Sequence, residues 1–96
     1  MTYDELREAV QILGLRDRLT LNEIKKRHRE LVKRYHPDAG NDDDPEKIRK
    51  VNAAYRTILD YITEYEFSFE KREFYEQNPE ERLRMQFMDV PLWGKK

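Results

Sequence analysis

Apolar residues recur with helical spacing in three stretches of the chain. In the first, Tyr3, Leu6, Val10 and Leu13 fall on one helical face, with Ala9 beside them. Thr2 and Glu5 fit the S/T-x-x-E capping box that ties up orphan amides at a helix start. Gly14 is a natural stop. A short loop from Leu15 to Leu19 leads to a second capping box, Thr20 and Glu23. The helix that follows has an apolar face of Ile24, Leu31 and Tyr35, with His28 in the same row and Val32 at the edge. At about 100° per residue, Lys25, Lys26, Arg29 and Lys33 gather on the opposite side. Pro37 ends this helix, because its ring disfavours helical geometry at His36 and it has no amide hydrogen. Asp44 and Pro45 then form an N-cap and N1 pair. Ile48, Val51, Tyr55, Ile58 and Ile62 make the third stripe, widened by Ala54 and Leu59. The pattern predicts helices over about 3–13, 21–35 and 45–61.

Beyond the third stripe the period changes. Tyr65, Phe67 and Phe69 alternate with polar residues, which predicts an extended segment lying on the helices; a continued helix is the alternative. Asn78 and Pro79 read as another N-cap and N1 pair, opening a short helix to about Met88 that presents Leu83 and Phe87. The last residues, VPLWGKK, form an apolar hook with one Trp. The fold class is all-α. A shorter N-terminal helix precedes an antiparallel hairpin of the second and third helices, and an aromatic-rich C-terminal extension with a short helix follows. The expected division is a core over 1–60 and an extension over 61–96 that packs on or beside it.

Composition narrows the function classes. The 96 residues suit one small domain. With 41% charged and 38% apolar residues, no run approaches the roughly 20 apolar residues of a spanning helix. The start, MTYDELREAV, lacks the regions of a signal peptide. The absence of Cys excludes disulfides, Cys-based zinc sites and thiol chemistry. These features suggest a soluble, cytoplasmic protein. The net charge is −1, from 19 Lys and Arg against 20 Asp and Glu. That sum argues against a uniformly basic nucleic-acid binder, yet it is a cancellation. Residues 24–35 hold six Lys or Arg and one Glu, whereas residues 60–96 carry six bases and nine acids, a net of −3. His28 and His36 lie too far apart to share a metal and lack further ligands. Asp42, Asp43 and Asp44 do not fit a calcium loop. No Gly-rich phosphate loop is present, so no cofactor is expected.

The most informative element is His36-Pro37-Asp38, at the end of the basic helix. Proline makes it a rigid polar corner that displays an imidazole and a carboxylate at a defined angle. It lacks the nucleophile and oxyanion donors of acyl transfer. Taken alone it is a helix stop; its surroundings make it specific. EIKKRHRELVKRYHPD leads into it, and an acidic loop and KIRKVNAAYRTIL follow. With Leu13-Gly14-Leu15, Glu23-Ile24-Lys25-Lys26, Leu31, Asn52 and Ala54-Tyr55, the stretch 2–60 resembles the J-domain (DnaJ-like) family. These are co-chaperones of DnaK-type (70-kDa heat-shock) ATPases. The resemblance implies docking on that chaperone and stimulation of its ATP hydrolysis, with no enzymatic activity in the chain itself. It assigns His36, Pro37 and Asp38 to the family's essential loop, and Lys25, Lys26, Arg29 and Arg34 to its basic docking surface. Lys33 joins them as a base where the family usually has an apolar or small residue.

Three positions depart from the family pattern. Arg27 stands for the usual Ala, and its stem is expected to run along the core edge. His28 replaces an aromatic Tyr or Phe and is read as packing on the next helix, with a pH-sensitive contact as the alternative. Glu30 stands where many members carry a base, which would weaken docking or select a particular chaperone. The family's Gly/Phe-rich linker and Cys-rich zinc domain are absent, so the chain reads as a minimal J-protein. Lys71-Arg72-Glu73-Phe74-Tyr75 resembles the tail of the family's fourth helix, displaced by about eight residues, and no function is carried over to it. The extension either completes the core or offers a client- or target-binding patch, with Met85, Met88 and Trp93 as candidates for exposure. The rival readings are a nucleic-acid module using the basic helix and a J-like scaffold without ATPase stimulation.

Overall fold

The computed structural model describes residues 1–36 and 44–88. Pro37, Asp38, the acidic loop through Asp43, and the C-terminal hook with Trp93 lie outside the described residues. The chain forms two compact units, Met1–Tyr65 and Glu66–Lys96.

The first unit contains α1 (Tyr3–Leu13), α2 (Leu21–Tyr35) and α3 (Pro45–Thr63). Both predicted capping boxes are formed. The Thr2 hydroxyl accepts from the Glu5 amide while Glu5 accepts from the Thr2 amide, and Thr20 and Glu23 repeat the exchange. Gly14 closes α1 in the left-handed region at φ 65° and ψ 41°, with its amide donating back into the last turn. His36 leaves α2 with extended backbone, φ −67° and ψ 139°, the geometry that a following proline imposes. The Asp44 carboxylate accepts from the Lys47 amide and caps α3, with Pro45 at the first helical position.

The three helices bury one seam. Ala9 and Leu13 of α1, Ile24 and Leu31 of α2, and Val51, Ala54 and Ile58 of α3 form the core. Leu13 and Val51 are fully buried. Around them pack Leu6, Val10, Leu15, Leu19, Tyr35 and Ile62, among others. Contacts between α2 and α3 run in opposite directions along the two helices: His28 meets Asn52 and Tyr55, while Tyr35 meets Lys47. The hairpin is therefore antiparallel, as expected. Tyr3 is a correction. It opens α1 71% exposed, and the seam is centred one register over, on Ala9 and Leu13. Similarly, Ala54 lies in the centre of the α3 stripe, where its small side chain lets the helices approach.

α3 continues two residues past the expected end at 61, to Thr63. Ile62 packs against the core there, and the Glu64 amide still bonds the Asp60 and Ile62 carbonyls. From Tyr65 to Phe69 the backbone is neither helix nor strand, so the helical alternative for this stretch does not hold. The second unit contains α4 (Lys71–Gln77) and α5 (Pro79–Met88). The short α4 was not expected from periodicity. Asn78 is also a correction: its side-chain amide donates to the Phe74 carbonyl at 2.9 Å, so that side chain closes α4 rather than capping α5. Its backbone carbonyl still accepts from Glu81 and Arg82, and Pro79 starts α5 as predicted. Among the described residues no helix is long and apolar enough to cross a membrane.

Candidate functional site

α2 sets Ile24, Leu31 and, at its flanks, His28, Val32 and Tyr35 against the other helices. The same 3.6-residue period must then turn Lys25, Arg29, Lys33 and Lys26 outward, within about 100° of arc. All four are exposed, and among the described residues none of them makes an ion pair. Lys25, Arg29 and Lys33 stand one behind another, about 6 Å apart along the axis. By contrast, three arginines elsewhere are compensated: Arg16 by Glu23 at 2.8 Å, Arg49 by Glu46 at 2.6 Å, and Arg84 by Glu81 at 2.9 Å. The Arg16 contact, together with the Thr20 amide as the larger influence, holds the Glu23 carboxyl below the usual carboxylate range. The four cations of this stripe are therefore held by no carboxylate among the described residues, although Glu30 stands beside Lys26 at its edge.

Arg34 is not part of that stripe. It lies about 80° around the helix from Lys26, next to Arg27, and its guanidinium carbon is 5.6 Å from the Tyr35 ring centroid. The Lys47 ammonium of α3 reaches the same ring at 5.4 Å. Two cations thus flank the half-buried Tyr35, where the hairpin ends and His36 begins. His36 itself is exposed at the C-cap. Pro37 and Asp38, the rest of the corner, lie outside the described residues.

The two unusual residues on the inner edge are both used structurally. His28 stacks on Tyr55 with ring centroids 3.8 Å apart and planes 4° from parallel, and its Nε2 lies 2.9 Å from Asn52 Oδ1. This is the packing role expected for it. Arg27 does more than run along the core edge. Its Nε donates to the Leu13 carbonyl at 2.8 Å, bringing a cation to the C-terminal end of α1, which has no base in its own last turn. Its other arm approaches Glu30 at 3.6 Å. Sequence reasoning missed Lys47 as a neighbour of Tyr35 and Leu13 as the acceptor for Arg27. Neither contact leaves a trace in helical periodicity. Among the described residues no group of three or more His, Cys, Asp or Glu could hold a metal.

Comparison with known proteins places this helical unit. The DnaJ domain family model matches residues 8–66, which takes in the second half of α1 and all of α2 and α3. The chain is 38% identical over 73 residues to chaperone protein DnaJ of Caldicellulosiruptor bescii, covering 74% of this chain and 17% of that protein. It is 44% identical over 57 residues to chaperone protein DnaJ of Carboxydothermus hydrogenoformans, covering 56% of this chain and 15% of the relative. The corresponding protein of Caldicellulosiruptor saccharolyticus is 41% identical over 56 residues, which is 14% of its length. The match thus takes in only about one-sixth of these relatives. No solved structure matches the chain significantly. With a family model covering more than half of its residues, all within an all-helical fold, the chain belongs to the DnaJ domain family.

Proposed function

We propose that this protein is a J-domain co-chaperone. It docks on a DnaK-type (70-kDa heat-shock) ATPase through the outer face of α2 and the His36-Pro37-Asp38 corner, and it stimulates that partner's ATP hydrolysis. The observation that carries the reading is the uncompensated stripe of Lys25, Lys26, Arg29 and Lys33 on the helix that ends at His36. A concentrated positive face whose four cations make no ion pair among the described residues steers encounter with an acidic surface and fixes the register of docking. Arg34 adds a cation on the flank beside the corner. Tyr35, packed against the core and flanked by Arg34 and Lys47, anchors the last turn of α2 beside the corner.

In this reading the chain supplies no catalytic group and binds no nucleotide. Its effect is exerted on the partner's active site, in the cytoplasm. The extension supplies a client or target surface. Its exposed Phe69, Phe74, Leu83, Phe87 and Met88 support that assignment. The test is single-turnover ATP hydrolysis by the DnaK-type chaperone of the same organism, titrated with this protein. A saturable acceleration is expected. No acceleration up to high micromolar protein would contradict the proposal.

A further inference from the structure

Glu30 lies on α2 between the Lys26 edge of the basic stripe and Arg34, about 40° around the helix from each. Its neighbours three and four residues away are Lys26, Arg27, Lys33 and Arg34, and helix geometry brings all four within about 5–6 Å of it at Cβ. Such surroundings would ordinarily draw a carboxylate into a close ion pair. The other three carboxylates in ion pairs among the described residues do reach hydrogen-bond distance: Glu23, Glu46 and Glu81, at 2.8, 2.6 and 2.9 Å. Glu30 approaches Arg27 only to 3.6 Å, too long for a hydrogen bond. Arg27 has a closer partner on its other side, where its Nε donates to the Leu13 carbonyl at 2.8 Å. The Glu30 side chain is 53% exposed and keeps its acceptor oxygens available.

We propose that Glu30 receives a basic side chain, arginine or lysine, from the chaperone that docks on α2, and thereby selects partners that carry a cation at that point of an otherwise acidic surface. This rests on the docking reading above. A partner whose surface is acidic throughout would set carboxylate against carboxylate, and that repulsion excludes it. The competing view is that Glu30 only trims the positive charge of the face. The two differ in sign. If Glu30 only trims charge, its removal strengthens attraction to an acidic partner; if Glu30 pairs across the interface, its removal leaves the partner's cation facing lysines.

The experiment compares dissociation constants of the wild type, Glu30→Gln and Glu30→Lys for the DnaK-type chaperone of the same organism, at fixed ionic strength and with ATP present. Glu30→Gln is expected to weaken docking about tenfold, the loss of one charge-assisted contact, and Glu30→Lys to weaken it further. Glu30 is exposed, and melting curves of the variants should superpose on the wild type. An unchanged or tightened dissociation constant in either variant, beside a wild type that docks and stimulates, overturns this inference alone. A wild type that neither docks nor stimulates removes the docking reading, and this inference falls with it.

Discussion

Replacing Gly14 by alanine probes how the basic helix is tied to α1. Gly14 holds φ 65°, where an L-residue costs about 1–2 kcal/mol. The space is also taken. A Cβ at this position would stand 3.1 Å from Arg27 Nη2 and 3.7 Å from Arg27 Nε. The guanidinium would have to give way, yet its Nε is hydrogen-bonded to the Leu13 carbonyl at 2.8 Å. Charge-assisted bonds are worth about 1.5–3 kcal/mol when shielded. With Arg27 40% exposed, about 1 kcal/mol is a fitting figure here. Gly14→Ala should therefore cost about 2–3 kcal/mol, or roughly 10–20 °C in Tm for a domain of this size. Thermal and urea melts followed by far-UV circular dichroism would measure it. In an Arg27→Met background the clash and the hydrogen bond are already gone. Alanine at position 14 should then cost only the backbone share, making the pair less than additive by about 1 kcal/mol. A loss below about 0.5 kcal/mol for Gly14→Ala, or strict additivity with Arg27→Met, would refute the reasoning.

Three further outcomes are expected. Glu23 has a folded-state pKa held below its unfolded value, first by the Thr20 amide and then by Arg16, so its contribution is complete above the ordinary carboxylate range and is lost as pH falls through the lowered value. Glu23→Gln should accordingly flatten the decline of Tm on acidification, and an unchanged acid slope would contradict the assignment. Lys25→Glu with Arg29→Glu replaces two attractions by two repulsions; at about 0.5 kcal/mol for each exposed contact, docking on the chaperone should weaken roughly thirtyfold and lose most of its salt dependence. Affinity that keeps its salt slope would reject the steering argument. His28→Ala removes the stack on Tyr55 and the Asn52 contact, and should cost about 1–2 kcal/mol in a urea melt with little effect on docking. A loss under about 0.5 kcal/mol would show that the stack contributes little.

Much of the first unit was legible because its signals are local. A capping box occupies four consecutive residues, so Thr2 with Glu5 and Thr20 with Glu23 announce helix starts without reference to the rest of the chain. Pro37 acts on its immediate neighbour, and His36 shows the effect in its extended backbone. The outward direction of Lys25, Arg29 and Lys33 follows from the inward direction of Ile24 and Leu31 by period alone. What was not legible depends on distance in sequence. Arg27 finds the Leu13 carbonyl across 14 residues, and Lys47 meets Tyr35 across the hairpin. α4 escaped notice because Glu70 at its N-cap makes no side-chain cap bond and its seven residues bury no side chain. Asn78 looked like a cap for the helix after it, but its side chain serves the helix before it, a choice that residue type alone does not decide.

The central claim is that His36 and its corner transmit docking to the partner's ATPase. Single-turnover ATP hydrolysis by the DnaK-type chaperone, measured with the wild type and with His36→Gln at matched concentrations, tests it most directly. His36 is exposed at the end of α2 and lies outside the buried seam, so the variant should melt as the wild type does. The account predicts acceleration by the wild type and none by His36→Gln. A folded His36→Gln protein that accelerates hydrolysis as well as the wild type would contradict it.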